Sequence, residues 1–392
     1  MAEFIVLKNA SRIRTTSPFE EFGPTPASAP AAPEPSIEVH DVTFAQAQSM
    51  AQDRQVAAVA IPMPISLIEP CDADLPAGVA AATDAWGIPA VKADTSPFTG
   101  DGVVVAVLDT GIDKSHPAFA GVDIIEKDFS GSGNGDRHGH GTHCAGTIFG
   151  RDVNGKRIGV ARGVKKALIG KVLADTGGGN SDMIFRGMQW ALEQGAHVIS
   201  MSLGFDFPGA VQRMTAGGIP VVPATSNALE AYRSNLRFFD ALMQMVEAKG
   251  AFGDTAVVVA ATGNESNRPA FTVAASLPAA SRGIISVAAV GRNAAGTFDV
   301  AKFSNTMSQL AAPGVDILSA KVGGGLVSMN GTSMACPHVA GVAALWWEAL
   351  RKSGVVKATA GLVNTKLVAM AGTDGLSSEP IDRGAGLVTA PQ

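Results

Sequence analysis

The stretch GDGVVVAVLDTGID, residues 100–113, marks the point at which the chain takes on the pattern of a parallel α/β protein. Its apolar run VVVAVL (103–108) is uninterrupted, which is typical of a strand buried on both faces of a sheet. Further runs of this kind follow at 166–173, 197–203, 255–262 and 284–290. Segments with helical periodicity, 181–195 and 235–250, lie between them. This alternation predicts a doubly wound, mostly parallel sheet flanked by helices.

The first part of the chain has a different pattern and predicts a small α+β module. Residues 3–8 form a short apolar strand, and residues 18–36 form a Pro/Ala/Ser-rich linker that cannot pack. A second strand follows, and then a helix over 43–53 with Thr43 as its N-cap. Residues 54–70 predict a strand that becomes extended at its prolines.

A length of 392 residues is enough for one large domain and a smaller one, and the change of pattern along the chain divides them into residues 1–80 and 81–392. No apolar run reaches the roughly 18 residues of a membrane span. A net charge of -5 without a block of Lys or Arg argues against nucleic acid as a partner.

Three scattered cysteines do not make a disulfide framework. The N-terminus lacks the pattern of a secretory signal, so we expect a cytoplasmic location.

Polar residues follow several of the predicted strands. Asp109 directly follows VVVAVL, Ser202–Gly204 close the run at 197–203, and Asn264 follows the run at 255–262. In a doubly wound sheet, reactive groups collect beyond the carboxyl ends of the parallel strands. We therefore expect these residues to lie at one edge of the sheet.

The segment HGHGTHCAGT, residues 138–147, places three histidines and a cysteine within ten positions. Their spacing allows two interpretations, a zinc site or a histidine that transfers protons. The segment alone does not decide between them.

A serine near the start of a predicted helix is the candidate nucleophile. Residues 326–350 predict a strand, a tight turn at 330–331 and a long helix that begins at Thr332 or Ser333. A hydroxyl at the positive end of a helix dipole suits a nucleophile, provided that a histidine takes its proton.

The same chemistry requires two further groups. A carboxylate must fix the tautomer of the histidine, and Asp109 at a buried strand end would serve. The tetrahedral oxyanion needs hydrogen-bond donors, which the side-chain amide of Asn264 and the backbone N–H of the serine could supply.

Four segments of the chain resemble the subtilisin family (subtilases) of serine endopeptidases, and they occur in the same order as in that family. The likeness extends over about residues 80–350. The segments are VAVLDTGIDKSHP (105–117), HGHGTHCAGTI (138–148), VVVAATGNES (257–266) and NGTSMACPHVAG (330–341). The resemblance implies a subtilisin-like fold, acyl-enzyme chemistry and a peptide or protein substrate. It also implies production as a zymogen that processes itself.

Residue by residue, the resemblance makes Ser333 the nucleophile, His140 the general base, Asp109 the orienting carboxylate and Asn264 the oxyanion donor. It thereby favours proton transfer over a zinc site. The family's substrate-binding strands correspond to Ser202, Leu203 and Gly204 and to Ala261, Thr262 and Gly263, whose backbones would pair with an extended peptide.

The resemblance also gives a role to residues 1–80, that of an inhibitory propeptide with a ferredoxin-like fold. A linker stands where the first helix of such a propeptide is expected. Self-cleavage is expected between about residues 70 and 85. The released module would remain a partner of the protease as its own inhibitor.

Two departures from the family concern calcium and an insertion. Ala118 and Lys156 stand where the family often has calcium ligands, so the strongest calcium site is expected to be absent. No cofactor is expected to be required for the chemistry. Residues 205–235 are longer than the usual connection and either restrict the substrate or form a surface loop.

Two alternatives to a general endopeptidase remain open. A peptide-binding pseudo-protease would hold peptides without cutting them, although no catalytic residue is missing here. A dedicated maturase or macrocyclase would use the same acyl-enzyme but act on one peptide.

Overall fold

The N-terminal module is a small antiparallel sheet with one helix, within a computed structural model that describes residues 1–9, 35–71, 84–250, 255–293, 295–354 and 357–392. Its elements are β1 Ala2–Asn9, β2 Pro35–Val42, α1 Phe44–Met50 and β3 Val56–Ala60. The strand order is β2-β1-β3. Thr43 is the N-cap of α1, as predicted, and it forms a capping box with Gln46.

One sequence-based boundary in this region was wrong. The predicted linker over 18–36 is too long, because β2 begins at Pro35 and pairs with β1 up to the pair Asn9 and Pro35. A proline is tolerated there because β2 is an edge strand. Residues 18–34 and most of the predicted cleavage interval, residues 72–83, lie outside the described residues, as does the predicted domain boundary at 80/81.

The single strand predicted over 54–70 is in fact two strands. After β3, a second strand, β4 Pro64–Leu67, leaves the N-terminal sheet and pairs with strands of the main body. The prolines at 62 and 64 separate the two, since each lacks the N–H that a continuing ladder requires.

The strands of the main body follow the predicted alternation with helices. In chain order they are β5 Val104–Asp109, β6 Asp123–Asp128, β7 Lys166–Lys171, β8 Gly178–Asn180, β9 Val198–Met201, β10 Leu203–Phe205, β11 Val257–Ala261, β12 Ile284–Arg292, β13 Phe298–Val300, β14 Leu310–Pro313, β15 Ile317–Ala320 and β16 Leu326–Met329.

Within the described ranges the largest sheet has eight strands in the order β13-β12-β11-β9-β5-β7-β6, with β14 beside β12. Every pairing in it is parallel except that of β12 with β13. The predicted mostly parallel sheet is therefore confirmed. The five apolar runs became β5, β7, β9, β11 and β12.

Helices cover both faces of this sheet. The helices of the main body are α2 Gly87–Ala90, α3 His140–Phe149, α4 Ser181–Glu193, α5 Phe207–Ala216, α6 Val221–Gly250, α7 Thr332–Ser353, α8 Ala360–Ala369 and α9 Pro380–Arg383. None of the described helices combines the length and the apolar character needed to cross a bilayer.

Alternate side chains of β5 enter two separate cores. Val105 and Val107 pack in the core that contains α3 and α7, whereas Ala106 and Leu108 pack in the core that contains α4 and α6. The side-chain period of two in a strand gives this division directly. The central strand is thus buried on both faces, as its uninterrupted apolar run predicts.

The insertion at 205–235 is helical rather than an irregular surface loop. It contains α5 and the first half of α6, and α6 packs against β3 of the N-terminal module. The core on that face is shared with the module, because Ile5, Leu7 and Ala60 belong to it. The insertion therefore provides part of the surface on which the module rests.

Helices α6 and α4 hold the backbone between β3 and β4 at two points. The N–H of Ile61 donates to Ser234 Oγ (3.3 Å), and Asn235 Nδ2 donates to the Ile61 carbonyl (2.8 Å). Met63 N–H donates to Ser181 Oγ (3.1 Å), and Ser181 N–H donates to the Met63 carbonyl (2.9 Å). These bonds set the direction in which β4 leaves the module.

Replacing Asn235 with alanine is expected to lower the free energy of unfolding of the intact chain by about 1–2 kcal/mol, because the Ile61 carbonyl loses its buried donor. Equilibrium urea unfolding would measure the change. Asn227→Ala, an exposed change on the same helix, is the matched control. Equal midpoints for the two variants would show that the Asn235 contact contributes nothing.

Candidate active site

Asp109 is the last residue of β5, and its side chain is 1 % exposed. Thr110 N–H donates to Asp109 Oδ1 (2.7 Å). The Asp109 carbonyl accepts from the N–H groups of Val172 and Leu173 at the end of the neighbouring strand. The position at a parallel strand end thus places a buried, oriented carboxylate at the edge of the sheet, as predicted.

His140 is the first residue of α3 and is fully buried. Its Nδ1 lies 2.8 Å from Asp109 Oδ1 and 3.0 Å from Oδ2. A carboxylate only accepts, so in the neutral imidazole Nδ1 carries the proton and Nε2 is the basic nitrogen. Nε2 has no hydrogen-bond partner among the described residues.

The electrostatics of His140 result from two opposing effects. Burial by itself lowers the pKa of the imidazole, but the negative charge of Asp109 and its hydrogen bond to the ring outweigh it. The pKa of His140 therefore lies well above its usual value of 6.5 in the intact chain.

Ser333 is the second residue of α7 and is also fully buried. Cys144 connects it to the other two groups, since Sγ lies 3.8 Å from His140 Nδ1 and 3.4 Å from the Ser333 carbonyl oxygen. The structure thus brings Asp109, His140 and Ser333 into one region. The Ser333 hydroxyl, however, donates to the carbonyl of Ile68 (2.9 Å).

Asn264 lies just beyond the end of β11 and is oriented by the start of α7. Its Oδ1 accepts from the N–H and the hydroxyl of Thr332, both at 2.9 Å. Its Nδ2 is therefore directed away from Thr332 and donates to the carbonyl of Glu69 (2.9 Å). An amide held in this way is a preorganised donor for a carbonyl oxygen.

The strand β4 lies in the cleft between β10 and β8 and pairs antiparallel with both. Leu203 and Gly204, two of the predicted substrate-binding residues, lie opposite Leu67 and Ser66. Ser202 donates its hydroxyl to the Ser333 carbonyl (3.2 Å). A peptide strand added between two edges is a common mode of peptide binding.

The other predicted substrate strand makes its hydrogen bonds elsewhere in this structure. Ala261 ends β11, and the Thr262 hydroxyl donates to the Val287 carbonyl (3.1 Å). Gly263 N–H donates to the hydroxyl of Thr332 (3.1 Å). These residues line the edge beside Asn264, and their roles toward a substrate stay a prediction.

The serine and the amide contact the carbonyls of consecutive residues, Ile68 and Glu69. The chain then continues through Pro70 to Cys71, which exchanges two hydrogen bonds with Asn330 (3.0 and 3.1 Å). Residues 64–71 therefore cover the site on both sides of the Ser333 hydroxyl.

The other histidines of residues 138–143 and 330–341 do not converge on a common point. His143 is buried and donates Nε2–H to the Ile317 carbonyl (2.9 Å), and burial with the nearby His140 lowers its pKa to about 3. His338 donates Nδ1–H to the Met334 carbonyl (2.8 Å), and burial lowers its pKa to about 4. Both are neutral structural side chains near neutral pH. His138 Nε2 lies 3.8 Å from Glu69 Oε1.

The predicted zinc alternative therefore finds no support in the three-histidine segment. Among the residues that the structure describes, one group has ligand atoms close enough for a metal ion, namely Asp109, His140 and Cys144, all within 4.8 Å of one another. Two of its members form the carboxylate–imidazole contact described above.

Sequence reasoning missed three contributors to this region. Residues 178–180 supply the second edge for β4, and Thr332 orients Asn264. Asp136 holds the segment before His140. The glycine run at 177–179 was the one available signal, since glycine permits close approach of another backbone.

None of the three cysteines forms a disulfide. Cys144 and Cys336 are fully buried, and burial raises the pKa of both thiols, that of Cys336 from 9.0 to about 12. Both thiols are therefore protonated near neutral pH and are poor nucleophiles.

Iodoacetamide at pH 8 is expected to alkylate Cys336 at least about a thousand-fold more slowly in the folded chain than in urea, because the thiolate population falls by that factor when the pKa rises from 9.0 to about 12. Peptide mass spectrometry would follow each cysteine separately. Half-buried Cys71 is the internal reference. Labelling of Cys336 at equal rates in the folded and the unfolded chain would contradict the expectation.

Comparisons with known proteins assign the chain to a family. The family model described as "Subtilase family" matches residues 100–386. The chain is 36 % identical over 256 residues to the intracellular serine protease of Paenibacillus polymyxa, covering 63 % of this chain and 67 % of that protein. It is 36 % identical over 270 residues to subtilisin DY of Bacillus licheniformis (68 % and 85 % covered). It is 33 % identical over 270 residues to the major intracellular serine protease of Bacillus subtilis strain 168 (66 % and 73 % covered).

Proposed function

The chain belongs to the subtilase family of serine proteases, and from that membership we propose that it is an endopeptidase made as a latent, self-processing precursor. One observation carries the proposal. An extended segment of peptide, residues 64–69, lies between β10 and β8 with its carbonyls at Ser333 and Asn264. A peptide substrate would lie in the same place.

In the proposed reaction, His140 Nε2 takes the proton of Ser333 Oγ while Oγ forms a bond to the substrate carbonyl carbon. Asp109 holds Nδ1–H and stabilises the imidazolium that forms. Asn264 Nδ2 and the backbone N–H of Ser333 donate to the oxyanion. The C–N bond then breaks, and the leaving amine takes the proton from His140.

The acyl-enzyme is hydrolysed by the same groups in reverse. Water gives a proton to His140 Nε2 as its oxygen bonds to the acyl carbon, and collapse of the second tetrahedral intermediate returns the proton to Ser333 Oγ. The products are a free amine and a carboxylate, and no cofactor takes part.

The intact chain is proposed to be latent because residues 64–71 occupy the cleft in a position that does not allow Ser333 to attack them. Attack on a carbonyl requires the nucleophile at its carbon and the donors at its oxygen. Here Ser333 contacts the carbonyl of Ile68, whereas Asn264 contacts that of Glu69. Neither peptide group has both partners. Residues 1–80 thus fit an inhibitory propeptide, with cleavage between about residues 70 and 85.

Two further parts of the proposal concern cofactors and location. Ala118 is fully buried and offers no side-chain oxygen, and Lys156 is an exposed cation, so these positions do not fit calcium. Two of the relatives are named intracellular serine proteases. We place this protein in the cytoplasm on that basis.

Ser333→Ala is expected to leave the purified chain uncut, whereas wild type gains a new N-terminus between about residues 70 and 85. The variant should also lose about a million-fold in kcat, a magnitude taken from subtilisin itself, a member of this family, rather than from the present geometry. Intact-mass spectrometry and a positional peptide library give both readouts.

The matched control is Ser226→Ala, an exposed serine on α6, which should behave as wild type. An intact wild-type chain that nevertheless hydrolyses peptides would refute self-processing alone. No hydrolysis and no fluorophosphonate labelling of Ser333 would refute the protease and favour a pseudo-protease. A single ligated or cyclised product would favour a maturase.

Asn264→Ala is expected to lower kcat by about a hundred- to a thousand-fold with KM nearly unchanged, because the amide acts on the oxyanion of the transition state; this range too was measured in subtilisin. Steady-state kinetics on a peptide substrate would measure it. Asn267→Ala, three residues away and exposed, is the control. A rise in KM at constant kcat would instead make Asn264 a ground-state binding residue.

A further inference from the structure

We propose that Asp136 is a positioning residue for the general base, a role that rests on the proposed function. Its carboxylate ties the first turn of α3 to the end of β5, and it thereby keeps His140 on Asp109. Asp136 is 7 % exposed and does not touch the reacting atoms in this arrangement.

One oxygen of Asp136 holds the segment that leads into His140. Oδ1 accepts from the N–H of His138 (3.0 Å) and from the N–H of Gly139 (2.8 Å). It also accepts from the hydroxyl of Thr110 (3.0 Å), the residue that follows Asp109. A single oxygen therefore connects the residue next to the carboxylate with the two residues before the imidazole.

The other oxygen holds the helix itself. Oδ2 accepts from the N–H (2.9 Å) and the hydroxyl (2.6 Å) of Thr142. The N-cap residue, Gly139, has no side chain to cap α3, and the first turn contains no acidic residue. Asp136 thus supplies both the cap and the negative charge that a helix N-terminus favours.

The two threonines extend these bonds into a closed network around the Asp109–His140 pair. Thr110 Oγ1 accepts from Gly141 N–H (3.0 Å), and Thr142 Oγ1 accepts from Asp113 N–H (2.9 Å). Strand end and helix start are therefore joined from both sides. They also touch directly, since a Cβ on Gly141 would lie 2.2 Å from the carbonyl oxygen of Gly111.

Only a carboxylate can complete this network. All five hydrogen bonds to Asp136 come from N–H or O–H donors, and two of them reach Oδ2. In an asparagine of the same shape, one of the two positions becomes an NH₂ group, which cannot accept. Asp136→Asn therefore removes the bond from the Thr142 N–H, or the bonds from the N–H groups of His138 and Gly139 if the amide is flipped, without changing the volume. A threonine hydroxyl can turn and accept from the new NH₂ group, but a backbone N–H cannot.

A displaced α3 would separate His140 from Asp109. This separation would lower the rate of the reaction and the pKa of His140. Misplacement of a catalytic group by about 1 Å costs on the order of a hundred-fold in rate. The charge of Asp109 also holds the pKa of His140 up, so a weaker contact lowers that pKa. The other titratable groups near the ring are Cys144, His143 and His138.

The first test is kinetic and compares wild type with Asp136→Asn on a peptide substrate over a range of pH. We expect kcat to fall about ten- to a hundred-fold with KM changed less than about two-fold. Because the base acts in its neutral form, a lower His140 pKa should move the acidic limb of kcat/KM to lower pH. Self-processing of the full chain should slow in parallel.

Asp128→Asn is the matched control. Asp128 also accepts backbone and hydroxyl bonds, from Ser130 and Gly133, but within its own loop. The Asp128→Asn variant should have the kcat of wild type and the same acidic limb in its pH profile of kcat/KM. Equal effects of the two variants, or an unchanged kcat in Asp136→Asn, would overturn the proposal. A wild type without activity would instead count against the proposed function.

The second test does not depend on activity. In the intact Ser333→Ala chain, the His140 Nδ1 proton bonded to Asp109 should give a far-downfield ¹H resonance, assigned by its absence in His140→Ala. Adding Asp136→Asn should shift it upfield or remove it, whereas adding Asp128→Asn should not. An unchanged resonance would refute the positioning role.

Should Asp136→Asn fail to fold, Thr110→Val decides the question by the same two readouts. It removes the bond that the Thr110 hydroxyl donates to Asp136 and the bond that this hydroxyl accepts from Gly141 N–H, but it keeps the cap on α3. We expect a loss of about ten-fold in kcat. Wild-type kinetics and an unchanged resonance would overturn the proposal.

Discussion

The buried contact between Asp109 and His140 is the interaction on which the site depends. Both groups are almost completely removed from water, and burying either of them without a partner would be strongly unfavourable. The fold brings them together because a parallel strand ends where a helix begins, at one edge of the sheet. The N-terminus of α7 lies at the same edge. Its first two residues are Thr332, which orients Asn264, and Ser333.

Much of this arrangement could be predicted from local sequence, and what could not be predicted depends on partners distant in the chain. The run at 103–108 predicts a buried strand because continuous apolar residues suit a strand covered on both faces, and β5 has that environment. Residues 178–180, in contrast, form a strand because β4 pairs with them. Within residues 205–235, α5 packs against α6, and α6 packs against β3 of the N-terminal module, a partner far away in the chain.

Asp136 shows the same limit at the level of one side chain. In the sequence, an aspartate before a histidine-rich segment indicates no more than a turn, because aspartate is a common turn residue. Three of its four partner residues are local, within 138–142, but Thr110 lies 26 positions upstream. The proposed catalytic roles of Asp109, His140 and Ser333 could be assigned by resemblance because their motifs are short and contiguous. The side chains that hold these residues in place are dispersed in the sequence, and their contacts become visible once the strand ends are placed in space.

The apolar core that the N-terminal module shares with the main body would hold the module in place after cleavage. Ile5, Leu7 and Ile65 are buried in the same core as the side chains of α4 and α6. Breaking a peptide bond after residue 71 would remove a covalent connection but none of this buried surface. The two pieces would therefore stay together as a non-covalent pair, and the dissociation rate of that pair, rather than hydrolysis itself, would set how long the cleft remains filled.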